Sequence, residues 1–274
     1  MKNTHNIYLV SDSTGETLDR IFMALKAQFE NFNYILFHYS FTRTENQILK
    51  ILEEANKKKD SIILYTVVDN KLAKYLSQEA NKKNIPCFGV LGDLILNFSK
   101  LLNQKATHIP SGQHALNEEY YKRIEAIQFT MNHDDGYSTI DVNKSDIILL
   151  GVSRTSKTPT SIYLANRGYK TSNIPLINDK SIPEKLKENP KACCVVGLIA
   201  EPKRLYDVRK NRLATIKGQE ASQYANLETI QNEIEESKNT FKKYQWPIID
   251  VTRKSVEETA ASVIKMYEIF SNRK

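Results

Sequence analysis

From Ile7 onward the chain alternates short apolar runs with stretches whose apolar residues recur every three to four positions. Ile7-Tyr8-Leu9-Val10 is followed by a polar turn and then, over residues 17–29, by apolar positions at helical spacing, which reads as strand, loop and helix. Further apolar runs at 34–39, 61–68 and 86–90 predict strands, with helices over 45–57 and 70–83 between them. Strands and helices alternating at this length predict a parallel α/β sheet with right-handed crossovers, placed here at residues 1–105.

Residues 106–145 break the alternation. They are rich in His, Asp, Glu and Tyr, with a helix predicted over 117–131 and the turn-forming Asp134-Asp135-Gly136 after it, and they read as a connecting segment. A second unit, residues 146–274, opens on Asp146-Ile147-Ile148-Leu149-Leu150, passes a glycine turn and enters a helix over 158–166 that stops at Gly168. Further strands are expected at 172–176, 193–198 and 247–251. The fold class that follows is α/β: an N-terminal parallel-sheet domain, then a P-loop kinase-like α/β domain.

Of the 274 residues 41% are apolar, enough to fill the cores of two such domains. No stretch reaches the roughly 18–20 apolar residues of a membrane-spanning helix. Met1-Lys2-Asn3-Thr4-His5 leads into a strand-like segment and not a secretory leader, so a cytoplasmic protein with no membrane partner is expected. Cys87, Cys193 and Cys194 lie in apolar segments without paired zinc spacing and are expected to be reduced core thiols. The net charge of +7 suits phosphate ligands, but Lys and Arg are interspersed with acids along most of the chain, which argues against nucleic acid as the partner. Lys57-Lys58-Lys59 and Lys82-Lys83 fall at the ends of predicted helices, where cations complement the helix dipole in solvent.

The densest chemistry lies in Gly151-Val152-Ser153-Arg154-Thr155-Ser156-Lys157-Thr158, between an apolar strand and a helix, which is the setting of a Walker A loop. Backbone N–H groups in such a turn converge on an anion at the positive end of the next helix. A lysine reaches the outer phosphates and the hydroxyl after it ligates magnesium. Lys157 and Thr158 take those roles, and Arg154 adds a cation. Ser156 stands where the pattern wants glycine, and a Cβ resists the conformations glycine permits. The competing reading is an ordinary strand-to-helix turn whose Ser and Thr cap the helix, with Pro159 just inside its start.

Four other groups carry candidate chemistry. Ser11, Asp12, Ser13, Thr14 and Gly15 follow a strand and precede a helix, so they form either a second anion nest or a helix cap. His114, His133, Asp134 and Asp135 supply either a general base for a hydroxyl, with Asp135 preferred, or polar turn residues. Arg204, Arg209 and Arg212 lie on a basic helical segment and clamp phosphate, contact a protein partner or line a solvated face. Asp250, at a strand end beside Thr252, either coordinates magnesium through water or caps the following helix.

The string from Asp146 through the loop to Asn166 resembles the pyruvate, phosphate dikinase regulatory protein family, which includes the regulators of phosphoenolpyruvate synthase. Three further segments carry the same resemblance: Val10 to Thr17; Gln113-His114 with Tyr120, Arg123-Ile124-Glu125-Ala126 and His133 to Gly136; and Trp246 to Thr252 with Glu257-Glu258-Thr259-Ala260. In that family serine is common at position 156. The resemblance implies a bifunctional enzyme that phosphorylates a threonine of its target protein with ADP as donor. It further implies removal of that phosphate by phosphorolysis, with inorganic phosphate as co-substrate and pyrophosphate as product. The target implied is pyruvate, phosphate dikinase or, with the same chemistry, phosphoenolpyruvate synthase. A P-loop kinase of a small metabolite and a non-catalytic nucleotide-sensing or nucleic-acid-binding module are the alternative classes. The sequence leaves open whether the chain forms a homo-oligomer.

Overall fold

The computed structural model describes residues 4–112, 117–136, 142–177, 181–213 and 224–272. The chain divides into two compact units, Met1–Ala115 and Leu116–Lys274. The stretch read from the sequence as a connection is therefore divided between them, because the helix at Glu118–Asn132 packs on elements of the second unit.

In the first unit β1 (His5–Ser11), α1 (Glu16–Lys26), β2 (Tyr34–Tyr39), α2 (Glu45–Asn56), β3 (Ser61–Thr66), α3 (Asn70–Lys82), β4 (Cys87–Gly89) and α4 (Gly92–Leu101) follow in order. The four strands pair in parallel as β2-β1-β3-β4. The chain moves one way across the sheet from β1 to β2 and the other way from β2 to β3 and β4. Right-handed crossovers therefore put α1 on one face and α2 and α3 on the other. The two cores follow that division. Ile7, Leu9 and Leu64 meet Leu18 and Phe22 of α1, while Tyr8, Val10 and Ile63 meet Ile48, Leu52, Leu76 and Ala80 of α2 and α3. Helix starts follow local rules: Thr44 and Gln47 close a capping box on α2, and Asp69 accepts from the N–H groups of Lys71 and Leu72 on α3. The pattern did not predict α4, none of whose apolar residues is buried within the unit.

The second unit begins with α5 (Glu118–Asn132) and repeats the topology with β5 (Ile147–Gly151), α6 (Lys157–Ala165), β6 (Thr171–Pro175), α7 (Glu184–Glu188), β7 (Cys194–Ile199), α8 (Pro202–Leu213), α9 (Leu227–Lys243), β8 (Ile248–Asp250) and α10 (Val256–Ser271). Its parallel order is β6-β5-β7-β8. Every residue of β5 is buried, as expected of a central strand covered on both faces. Gly197 in β7 is required by packing, since a Cβ there would lie 2.5 Å from the ring of Phe241. The two-domain α/β reading holds. The three cysteines are free thiols, and burial pushes those of Cys87 and Cys194 up to about 12 and about 11, leaving them protonated and unreactive. Among the described residues no helix is long and apolar enough to cross a membrane.

Candidate functional site

The predicted phosphate loop leaves the carboxyl end of β5 and enters α6. Gly151 is fixed by space: an added Cβ would come within 2.5 Å of the Leu198 carbonyl oxygen and 2.8 Å of Thr155 Oγ1. Thr155 Oγ1 and Lys157 Nζ both donate to the Val152 carbonyl, each at 3.0 Å, and close the turn from inside. Arg154 (φ 75°) and Ser156 (φ 59°) are left-handed, while Ser153 and Thr155 are not. Such alternation turns successive N–H groups toward one point and forms an anion nest. Among the described residues no acceptor takes the N–H of Ser153, Arg154, Thr155 or Ser156. No side chain caps α6, so the capping alternative fails for this loop. Ser156 adopts the left-handed conformation despite its Cβ, at a cost of about 1–2 kcal/mol that glycine would avoid.

Lys157 is 5% exposed. Burial lowers its ammonium from 10.5 to about 8, an effect that Asp135 and then Asp134 oppose. Thr158 Oγ1 donates to Asp134 Oδ1 at 3.1 Å and accepts from Asn173 Nδ2 at 2.9 Å; Asn173 also donates to Asp134 at 2.5 Å. The turn after α5, the middle of β6 and the start of α6 thus bring Asp134, Asp135, Lys157 and Thr158 together. Asp135 itself is left-handed (φ 51°) and exposed. Asn173 is fully buried, and its Oδ1 has no partner among the described residues. A polar amide in the interior of a strand was the signal for it that the apolar pattern overlooked.

Asp134, not Asp250, is the carboxylate beside Thr158. Asp250 lies at the end of β8, two strands from β5, where Oδ1 accepts from the N–H and hydroxyl of Thr252 at 2.9 and 2.5 Å. Thr252 in turn accepts from the N–H of Glu201, so Asp250 organises the chain between β7 and α8. The pair of hard oxygen donors at Asp134 and Thr158 fits magnesium, which takes one or two protein ligands and fills its shell with phosphate and water. His133 is buried, its Nδ1 bonded to the Phe129 carbonyl at 2.7 Å and its ring stacked on Phe129. His114 lies outside the described residues.

Arg209 is instead a buried internal tie. It is 1% exposed, paired with Glu233 at 2.6 Å, and donates to the carbonyls of Ser153 and Tyr224, both at 3.2 Å. Arg204 and Arg212 are exposed, as a solvated face requires. Tyr224, which the sequence did not single out, completes the support: its hydroxyl bonds Ser153 Oγ at 2.9 Å and accepts from Arg154 Nε at 3.1 Å. Burial alone would raise the Tyr224 phenol, but the bonds with Ser153 and Arg154 and the nearby guanidiniums hold it below its usual value. Arg209→Ala would leave Glu233 unpaired and release the Ser153 carbonyl, with an expected loss of about 3 kcal/mol in urea unfolding. A loss under about 1 kcal/mol would show that the loop does not depend on this pair.

In the first unit, residues 11–15 stand at the carboxyl end of β1. Asp12 Oδ2 accepts from Val68 N at 2.7 Å, and Arg43 Nε donates to the Asp12 carbonyl at 2.9 Å. The residue at the start of α1 is Gly15 (φ 89°), and no side chain caps the helix, so neither Ser13 nor Thr14 plays that part. Thr14 is exposed and its carbonyl accepts from Ser40.

The chain matches the model of the family described as kinase/pyrophosphorylase over residues 7–264. A protein of Pelagibacter ubique is 68% identical over 272 residues, 99% of both chains. One of Chelativorans is 42% identical over 261 residues, 95% of both, and one of Wolbachia pipientis 42% over 269, 96% of this chain and 95% of the other. All three are provisionally named pyruvate, phosphate dikinase regulatory protein.

Proposed function

Because the chain belongs to the kinase/pyrophosphorylase family, we propose that it regulates pyruvate, phosphate dikinase by adding a phosphoryl group to a threonine of that enzyme and taking it off again. The donor in the forward direction is ADP. The threonine oxygen attacks the β-phosphorus, the bond to the bridging oxygen breaks, AMP leaves, and the hydroxyl proton passes to a base. In the reverse direction an oxygen of inorganic phosphate attacks the phosphothreonine phosphorus, the ester bond breaks, the threonine oxygen takes a proton, and pyrophosphate leaves.

The observation that carries this reading is the nest of N–H groups at Ser153 to Ser156 that have no acceptor among the described residues, with the buried Lys157 next in the chain and Asp134 and Asp135 acting on its charge. Both directions need one place that holds two linked phosphoryl groups and steadies charge on the transferred one, and preorganised donors do this without reorganising. Lys157 and Arg154 supply cations. Asp134 and Thr158 would hold magnesium, which would neutralise phosphate charge. Asp135, exposed and free of the Thr158 contact, serves as the base toward the incoming threonine. The names of the relatives favour the dikinase over phosphoenolpyruvate synthase as target.

The test mixes the protein with purified dikinase or synthase, magnesium and either ADP or ATP, and locates the added phosphate by mass spectrometry. Phosphothreonine on the dikinase with ADP, AMP release, and reversal on adding phosphate with pyrophosphate appearing are expected. Transfer from ATP alone, or free phosphate released in place of pyrophosphate on reversal, overturns the assignment.

A further inference from the structure

The first unit contains a cavity of about 230 Å³ that the phosphoryl-transfer reading does not use. It lies at the carboxyl ends of β1 and β3, and Ser11, Asp12, Ser13, Gly15, Thr66 and Ser111 contribute its polar wall. In the order β2-β1-β3-β4 the chain leaves β1 toward one side and later passes to β3 on the other, so the crevice sits at the switch point of the sheet, where open α/β sheets bind ligands.

The wall has an unmet demand. Ser11, 3% exposed, accepts at Oγ from Thr66 Oγ1 at 3.1 Å and from Ser13 N at 3.2 Å. Ser13, 9% exposed, accepts at Oγ from Ser111 Oγ at 2.9 Å. A hydroxyl has one proton to give, and among the described residues neither the Ser11 nor the Ser13 proton has an acceptor. Two buried O–H donors without acceptors among the described residues, beside the uncapped positive end of α1, suit an oxyanion. Arg43, bonded to the Asp12 carbonyl and to Ser111 Oγ, adds a cation next to the cavity. Asp12 works against a bare phosphate. Its carboxylate, held on the β3 side by Val68 N, suits a ligand that also brings hydroxyl donors. The space of about 230 Å³ suits a ligand the size of a three-carbon phosphate ester.

We propose that this cavity binds a small phosphate monoester carrying free hydroxyls, with its phosphate on the Ser11 and Ser13 hydroxyls and the start of α1 and its hydroxyl groups on Asp12. All its lining residues belong to the first unit, and the proposal does not depend on the assignment of the phosphoryl-transfer reaction.

The experiment uses full-length Lys157→Met protein, in which the second unit's phosphate loop lacks its lysine, titrated calorimetrically with glycerol 3-phosphate, inorganic phosphate and glycerol. Saturable one-site binding of glycerol 3-phosphate, weaker binding of inorganic phosphate and none of glycerol are expected. Ser13→Ala in that background should weaken glycerol 3-phosphate about tenfold or more, the worth of a hydrogen bond to a charged group. Should Ser13→Ala melt early, Ser111→Ala, which removes the donor that orients Ser13 from the half-exposed rim, should still weaken the ester by about threefold. Asp12→Asn should erase the preference for the ester over inorganic phosphate. The proposal is overturned if the ester does not bind, if it binds no tighter than inorganic phosphate, or if the folded serine variants bind it as well as their parent.

Discussion

Lys157→Met is expected to abolish phosphoryl transfer while making the unliganded protein more stable. The lysine is 5% exposed, and burial lowers it from 10.5 to about 8. A base whose folded value lies below its unfolded value destabilises the fold where both states are protonated; that penalty is full below pH about 8 and is relieved as pH rises toward 10.5. The difference corresponds to about 3 kcal/mol. Methionine keeps the stem and removes the charge, so urea unfolding at pH 7 should show a gain of about 1–3 kcal/mol that shrinks between pH 8 and 10.5. Transfer in both directions should fall by about 10²–10³ or more, because the ammonium meets phosphate charge that grows in the transition state. In the unsubstituted protein, ADP affinity should decline as pH rises past about 8, and binding should take up a proton there. A folded variant with full activity would show that the phosphate loop is misassigned. A variant less stable than its parent by over about 1 kcal/mol would show that the ammonium is a structural tie to Val152.

The parallel sheets were legible because each strand is a short apolar run between helical patterns: Ile147 to Leu150 is buried on both faces and had to be apolar throughout. The loop was legible because a strand, a glycine and Lys-Thr at a helix start are neighbours in sequence. Contacts across long separations were not. Asp134 reaches Thr158 over 24 residues, and Arg209 meets Glu233 over another 24. A guanidinium in a helix full of lysine and arginine gives no periodic sign that it alone turns inward. Tyr224 is invisible for the same reason: its function comes from contact with Ser153, 71 residues earlier. Capping remained a competing reading at both loops because Ser and Thr before a helix satisfy the local rule whether or not their side chains turn back, and here Gly15 and Ser156 occupy the cap positions.

The two neighbouring carboxylates should separate into different kinetic defects. Asp134 Oδ1 already takes bonds from Thr158 and Asn173, which places it where a cation bound to the Thr158 hydroxyl would sit. Asp135 faces Lys157 electrostatically and is exposed, so a threonine arriving from a protein target can reach it. Asp135→Asn should cut the maximal rate by about 10²–10⁴, the worth of a positioned base, while ADP and magnesium still bind as before. If phosphorolysis uses the same site, the same group protonates the threonine oxygen as it leaves, so both reactions should slow together. Asp134→Asn should instead raise the magnesium needed for half-maximal rate by about tenfold or more and recover much of its rate at saturating metal. Measuring both variants against magnesium in both directions separates the roles. If Asp134→Asn shows the metal-independent loss and Asp135→Asn the metal-dependent one, the assignments are reversed. If Asp135→Asn slows only the forward direction, the base is not shared and the two reactions do not use one set of groups.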